Sequence, residues 1–361
     1  MDFAIRGFKH AKVALLTTSI PALLAAVSPA KADAIADRVI QNVIQNVLQN
    51  VRDQIQSRRL AVITPGRMQF TGEDEPTGYQ GSDPFAALGY AKAPIYTKAP
   101  PPAPAVPTWL YGVNLTGSAD WSRSAGITTS SYGVTGAIDV TKIGISSQYD
   151  ALTVIFTGGG VWSNAPGTDA STGVGAGTVA YTNGGFSVDF TIDGTWTTSR
   201  LAAAGIVTNT DSTGISYAPN VQYKFDLANG WFIEPTVGAT YTQTFTSSFG
   251  AQTGDNTEVH GGARFGTDTT WNGTRVQPSL KLEAFSIVAQ SGISTIAVGG
   301  TGVPTPVATG TGVATGQVGG RASGKLNIVW TPTFSSFIEA HGSGISGLTA
   351  YGTTAGLRWT F

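Results

Sequence analysis

Tyr351-Gly352-Thr353-Thr354-Ala355-Gly356-Leu357-Arg358-Trp359-Thr360-Phe361 decides the fold. With a period of two, Tyr351, Thr353, Ala355, Leu357, Trp359 and Phe361 fall on one face, and Gly352, Thr354, Gly356, Arg358 and Thr360 on the other. This is a strand with one greasy and one polar face. Such a strand must pair on both sides or leave a raw edge. In a membrane no raw edge is tolerated, so the sheet has to close into a barrel. An ordinary sandwich strand is the competing reading, and the rest of the chain decides between them.

Composition favours the barrel. Gly accounts for 47 of 361 residues, and charged residues for only 12%, about half the usual share. A net charge of −1 offers no basic patch for nucleic acid. The chain has no cysteine, which excludes disulfides and thiolate metal sites. Beyond the N-terminus no apolar run is long enough for a transmembrane helix. Alternation punctuated by turn residues is the remaining signal.

Residues 1–34 read as a secretory signal peptide. Arg6, Lys9 and Lys12 form the basic start, Val13 to Val27 the apolar run, and cleavage falls after Ala32 or Ala34. Residues 35–60 repeat every four positions: Val39, Val43, Val47 and Val51, each followed by an apolar or basic residue, with Gln and Asn between. That spacing predicts an amphipathic helix whose stripe drifts about 40° per repeat, a poor fit to a coiled coil. The helix lies on an apolar surface, sits in a barrel lumen, or self-associates. Residues 61–108 have no sustained period and end in a run with prolines at 100–102, 104 and 107, which predicts a semi-rigid, disordered linker.

Residues 109–361 hold twelve alternating segments, near 109–122, 131–141, 151–162, 174–182, 185–197, 214–226, 231–245, 256–268, 274–288, 317–330, 334–343 and 350–361. The charges Asp139, Asp189, Asp193, Lys224, Asp226, Glu234, Glu258, Arg264, Lys281, Glu283, Lys325 and Arg358 all take the polar phase. A lipid-facing Arg or Lys at mid-bilayer costs ~2–4 kcal/mol. The polar face is therefore the lumen and the greasy face meets lipid. The segment 334–343 alternates badly and leaves Glu339 unoriented. Seven acids against five bases predict no strong ion selectivity.

Short turns are expected at Asn183-Gly184, Ala228-Asn229-Gly230, Trp271-Asn272-Gly273 and Thr331-Pro332-Thr333. Longer loops are expected near 163–173, 198–213, 246–255 and 289–316, the last uncharged and mobile. Short turns on one side and long loops on the other is the outer-membrane pattern. Counting back from the turns puts Phe225 opposite Ile233, Lys224 opposite Glu234, and Tyr181 opposite Phe186.

The C-terminal stretch resembles the signal strand of bacterial outer-membrane proteins. Residues 109–361 resemble the autotransporter β-domain of type V secretion through Tyr132–Asp139 (YGVTGAID), Gly184–Asp189 (GGFSVD), Phe225–Pro235 (FDLANGWFIEP), Trp271–Pro278 (WNGTRVQP) and Gly356–Phe361 (GLRWTF). The resemblance implies an all-β, twelve-stranded antiparallel transmembrane barrel in the Gram-negative outer membrane. It also implies that the barrel anchors and translocates its own N-terminal segment. Residues 35–108 are far shorter than the usual passenger. The barrel-assembly machinery would read Tyr351, Leu357, Trp359 and Phe361. A monomer in outer-membrane lipid is expected, with no cofactor and no enzyme activity. The alternatives are a diffusion pore without a passenger, or a structural or adhesive barrel acting through its surface loops.

No Gly-x-Ser-x-Gly elbow, His-Glu-x-x-His pair or phosphate loop occurs. His260 stands two residues from Glu258 on the lumen phase, and no nucleophile can be assigned to it. Some autotransporters cut their linker at an Asn-Asn pair, which this chain lacks.

Overall fold

The computed structural model describes Arg52, Ile55 and residues 109–361, except 125–126, 148, 204–205, 247–249, 251, 293–294, 301–302, 309–314 and 347. The expected signal peptide 1–34, linker 61–108 and, but for Arg52 and Ile55, helix 35–60 lie outside the described residues. Twelve strands make the wall. They are β1 Trp109–Ser124, β2 Ile127–Ile143, β3 Asp150–Ala165, β4 Thr168–Asn183, β5 Phe186–Ala203, β6 Ile206–Tyr223, β7 Trp231–Thr246, β8 Gln252–Thr267, β9 Thr274–Gly292, β10 Val318–Thr331, β11 Phe334–Ile345 and β12 Leu348–Thr360. Each pairs antiparallel with its neighbours in sequence, and β12 returns to pair with β1 from Gly112↔Thr360 to Ser124↔Leu348. The Phe361 N–H donates to the Tyr111 carbonyl at 2.9 Å, and Tyr111 N–H donates back at 3.1 Å. The barrel is closed, so no edge is left to hydrogen bond with lipid.

Along β12 outward and inward residues alternate without a break from Leu348 to Arg358. Greasy side chains such as Leu115, Ile138, Phe156, Phe190, Leu280 and Leu357 are exposed, while Thr, Ser and the acids are buried. Polar inside and apolar outside inverts a soluble protein and suits a barrel whose solvent is lipid. Exposed aromatics gather at two levels. Trp109, Tyr111, Tyr223, Trp231 and Trp271 mark the end with the short turns, and Tyr132, Trp162, Trp196 and Tyr351 the other. Trp121 stacks on Tyr351 with centroids 5.8 Å apart. Ten residues separate Tyr111 from Trp121. At ~3.3 Å per residue and a tilt of ~40°, that spans ~25 Å, the height of an outer-membrane apolar band.

The Phe225↔Ile233 register is as expected, and the Leu227 N–H closes the loop on the Trp231 carbonyl at 2.7 Å. Asn272 and Gly273 both take positive φ, 49° and 80°, between paired Trp271 and Thr274, as a tight mirror-image turn demands. The fourth hairpin differs. Asn183 pairs with Phe186, so Tyr181 faces Val188 and the turn residues are Gly184 and Gly185. Gly184 carries the positive φ of 54°. A Cβ on Gly185 would lie 2.4 Å from the Lys224 carbonyl oxygen. The two glycines, not Asn183, therefore set the register.

Two expected loops are strand. β3 and β4 run to Ala165 and Thr168 around Pro166-Gly167, and β5 and β6 to Ala203 and Ile206. Above the aromatic level both faces meet water, so hydrophobic alternation fades although pairing continues. Thr and Ser still favour strand there. Within 289–316 the chain forms a hairpin, Thr295–Gly300 against Val303–Ala308. Its first strand lies against β8, β10, β11 and β12, and its second against β12 and β1. Pro304 and Pro306 sit two residues apart on its second strand, so their missing N–H groups share one side.

Candidate functional site: the barrel lumen

The lumen has two unlike walls. On β2 to β7 it is lined by hydroxyls paired across strands. Ser131 with Ser163, Thr172 with Thr197 and Thr178 with Thr191 meet at 2.7 Å, Thr141 with Thr153 at 2.9 Å, and Ser216 with Thr242 at 3.1 Å. Among these hydroxyls lies an aliphatic patch of Ala137, Ile155, Val161, Ala170, Val174 and Ala180. Ile55 is helical, fully buried and packed on this patch. Inward Ile155 falls between outward Val154 and Phe156. That unbroken Val-Ile-Phe run is the sequence signal that the lumen is not uniformly polar.

The second wall, on β7 to β10, is ionic. Arg321 Nη2 donates to Glu258 at 2.5 Å and Nη1 to Glu283 at 2.9 Å. Lys281 Nζ lies 2.7 Å from Glu283. Arg264 pairs with Glu234, its register partner on β7. Three inward rings carry cations: Arg321 over Phe285 at 4.0 Å, Lys325 over Phe337 at 4.0 Å, and Arg264 over Phe232 at 5.3 Å. A buried acid needs a hydrogen-bonded partner, and this wall supplies cations.

Asp139 and Arg358 both face inward and approach across β1 at 3.6 Å. Asp189 accepts from Asn220 Nδ2 at 3.0 Å, and Asn220 in turn accepts from Thr236. Asp193 is buried opposite Ser216. Lys224 sits at the short-turn mouth, paired with Asp226. Asp226 is corrected by the structure: its side chain is 60% exposed at the turn, not in the lumen. Of the closing-strand residues, Tyr351, Leu357 and Phe361 are exposed on the lipid side, and Trp359 packs on Phe334 at 5.3 Å.

Alternation puts Asp120 on the polar face of β1 but does not place Arg321, Glu339 or His341; all four are buried and inward. Arg321 shares the phase of Ser323 and Lys325 and was legible from that. His341 and Glu339 were hidden because Phe337 points in under Lys325, while Ser336 caps the Trp330 indole N–H at 2.8 Å. His341 Nε2 and Asp120 Oδ1 meet at 2.8 Å across Gly352. A Cβ at Gly352 would fall 2.0 Å from Asp120 Oδ1.

Arg52 joins the two halves. It is helical and buried, and its Nη2 donates to His260 Nε2 at 3.4 Å. Beside it a small cleft opens between Arg52, Gln222, Glu234, Thr236, Arg264, Ser279, Lys281, Ser323, Lys325 and Glu339.

The autotransporter beta-domain model matches residues 108–341. The β-domain of the Bordetella autotransporter BrkA superimposes with a TM-score of 0.55 at 15% identity, covering 70% of this chain and 99% of that one. The translocator domain of the autotransporter NalP from Neisseria meningitidis gives 0.51 at 9% identity, covering 86% and 96%. No curated protein matches the chain by sequence.

Proposed function

We propose, from the premise that this chain belongs to the autotransporter β-domain family, that its barrel anchors and translocates its own residues 35–108. The barrel is a Gram-negative outer-membrane protein. The observation that carries the reading is the burial of Arg52 and Ile55 between the two lumen walls. In this reading residues 1–34 are removed on export, 35–60 stay helical in the pore, and 61–108 return to β1 at the short-turn mouth. The monomeric barrel is not an enzyme and binds no cofactor. A diffusion pore or loop-borne adhesion does not account for an arginine and an isoleucine of the N-terminal part inside the lumen.

Planar-bilayer recording tests this. Deleting residues 35–108 behind the signal peptide is expected to raise single-channel conductance, and equal conductance of the two chains overturns the reading. Protease added to intact cells then shows which part of 35–108 has reached the surface. The closing strand is the assembly signal, with Leu357, Trp359 and Phe361 presented to the barrel-assembly machinery. Loss of Phe361, or Leu357→Asp, is expected to remove the heat-modifiable barrel from outer membranes.

A further inference from the structure

We propose that the lumen holds a docking site for one arginine side chain, filled by Arg52, and that protonation of His260 empties it. The proposal rests on the pore-filling reading above and adds how the segment is held and released. A guanidinium has only donors. The 3.4 Å contact from Arg52 Nη2 therefore makes His260 Nε2 an acceptor, which requires a neutral imidazole with its proton on Nδ1. Nδ1 faces Glu258 Oε1 at 3.6 Å, the orientation that this tautomer needs.

The surroundings fit a cation on the chain and a neutral ring on the wall. On β8 itself the ring meets Glu258. From β7 it meets Gly238, where a Cβ would lie 2.6 Å from Nε2, so only glycine admits the imidazole. From β6 comes Asn220, which donates to Asp189 of β5. From β9 come Glu283 and Lys281, and from β10 Arg321, which ties Glu258 to Glu283. Arg52 and His260 both lie in the field of Asp189 and Glu283. At neutral pH this acidic set has room for one more cation, and Arg52 supplies it. Once protonated, His260 has no lone pair for Arg52 and becomes the competing cation itself.

Release takes up one proton, so the open-to-closed ratio can rise by at most about tenfold per pH unit. Full-length barrel in a planar bilayer is compared at about pH 7.5 and about pH 5, either side of the ordinary imidazole range. The wild type is expected closed at the higher pH and open at the lower. Arg52→Gln is expected open at both, to the level of the chain lacking 35–108. His260→Gln, whose amide oxygen accepts but never titrates here, is expected closed at both.

Each failure has its own meaning. If the wild type already equals the truncated chain at the higher pH, the pore-filling reading fails and the docking site with it. If truncation opens the pore but Arg52→Gln stays closed, the segment is a plug and the arginine site is wrong. If Arg52→Gln opens the pore but the wild type ignores pH, or His260→Gln still opens with acid, the His260 switch is wrong. Arg52 is not part of the barrel wall, so its variant and the wild-type pH profile decide the matter even if His260→Gln fails to assemble.

Discussion

The two lumen walls solve one problem by opposite means. Both must bury polar groups within a closed sheet. The β2–β7 wall does it with short, neutral, reciprocal hydroxyl pairs and leaves space for an aliphatic patch. The β7–β10 wall does it with long charged side chains that tie several strands at once, as Arg321 ties Glu258 of β8 to Glu283 of β9. Hydroxyl pairs are local and individually weak, about 0.5–1.5 kcal/mol each. Ionic ties are mutually dependent, because removing one partner strands the others in a low-dielectric interior. The first wall should yield gradually to mutation and the second abruptly.

The largest effect is therefore expected at Arg321. Arg321→Leu leaves Glu258 and Glu283 buried without their shared guanidinium, and breaking a buried pair costs ~3–5 kcal/mol. The unfolding temperature of the purified barrel, followed by gel mobility after heating, should fall more than for any single change on the hydroxyl wall. A fall no larger than that of Thr178→Val would erase the contrast.

On the other wall the largest single loss is expected at Ile155. Ile155→Ala removes the centre of the patch on which Ile55 packs, and such truncations cost ~2–5 kcal/mol. Part of that cost belongs to the contact with Ile55. In a chain lacking 35–108 the same substitution should therefore cost less, and a double-mutant cycle reads the difference. Additive effects would mean that Ile55 does not depend on Ile155.

These residues also show how much was legible in advance. Strand number, closure and the outward face of β12 follow from period-two alternation, because lipid on one side and water on the other imposes opposite polarity on neighbouring residues. The alternation fades wherever that contrast fails. Above the aromatic level both faces are wet, so the ends of β3 to β6 read as loops. Inside the lumen Ile155, Phe285 and Phe337 point inward, because an inner wall that packs on another segment or on a cation takes apolar groups. Turn geometry was legible at Asn272-Gly273 but not at Gly184-Gly185. There the approach of the Lys224 carbonyl, distant in sequence, chooses the turn residues. Counting put Lys224 opposite Glu234, and the flanking pairs Gln222↔Thr236 and Phe225↔Ile233 keep that register. What counting did not supply is the further partners, Asp226 for Lys224 and Arg264 for Glu234. Register fixes which strands face each other but not which of two neighbours a long side chain reaches.

A smaller effect is expected for a single hydroxyl pair. Thr178→Val keeps the shape of the side chain and removes one partner of the 2.7 Å contact with Thr191. A loss of about 0.5–1.5 kcal/mol is expected. The double change Thr178→Val with Thr191→Val should recover part of it, since no buried hydroxyl is then left unpaired. A double variant as weak as the sum of the singles would show that the hydroxyls serve some partner beyond each other.

The smallest effect sharpens the comparison at the rim, where both strategies recur in miniature. The pairing Trp109↔Lys142↔Leu152 sets the aromatic level, so Asp150 lies two residues beyond it, outside the span. Its carboxylate accepts from the Ser146 hydroxyl, from the N–H groups of Ile145 at 2.8 Å and Ser146 at 2.9 Å, and from Tyr181 at 3.2 Å. The Ser146 hydroxyl, then the backbone donors, hold its pKa down from 3.8 to about 2, against the opposing effect of desolvation. Asp268, in the turn after β8, instead takes a bidentate grip from Arg275. Burial pushes its pKa up, and the Arg275 bonds more than reverse that, leaving it below the ordinary 3.8. Both pKa values are depressed in the folded state. Each acid therefore contributes stability that is present above the unfolded value and lost as pH falls through the folded one. For Asp150 that window runs from 3.8 down to about 2. The two should part company in salt. Neutral donors are not screened, whereas a partly exposed ion pair is. In ~1 M salt, Asp268→Asn should cost measurably less than in ~0.05 M, and Asp150→Asn the same in both. Equal salt dependence of the two variants would mean that the rim does not repeat the division between the walls.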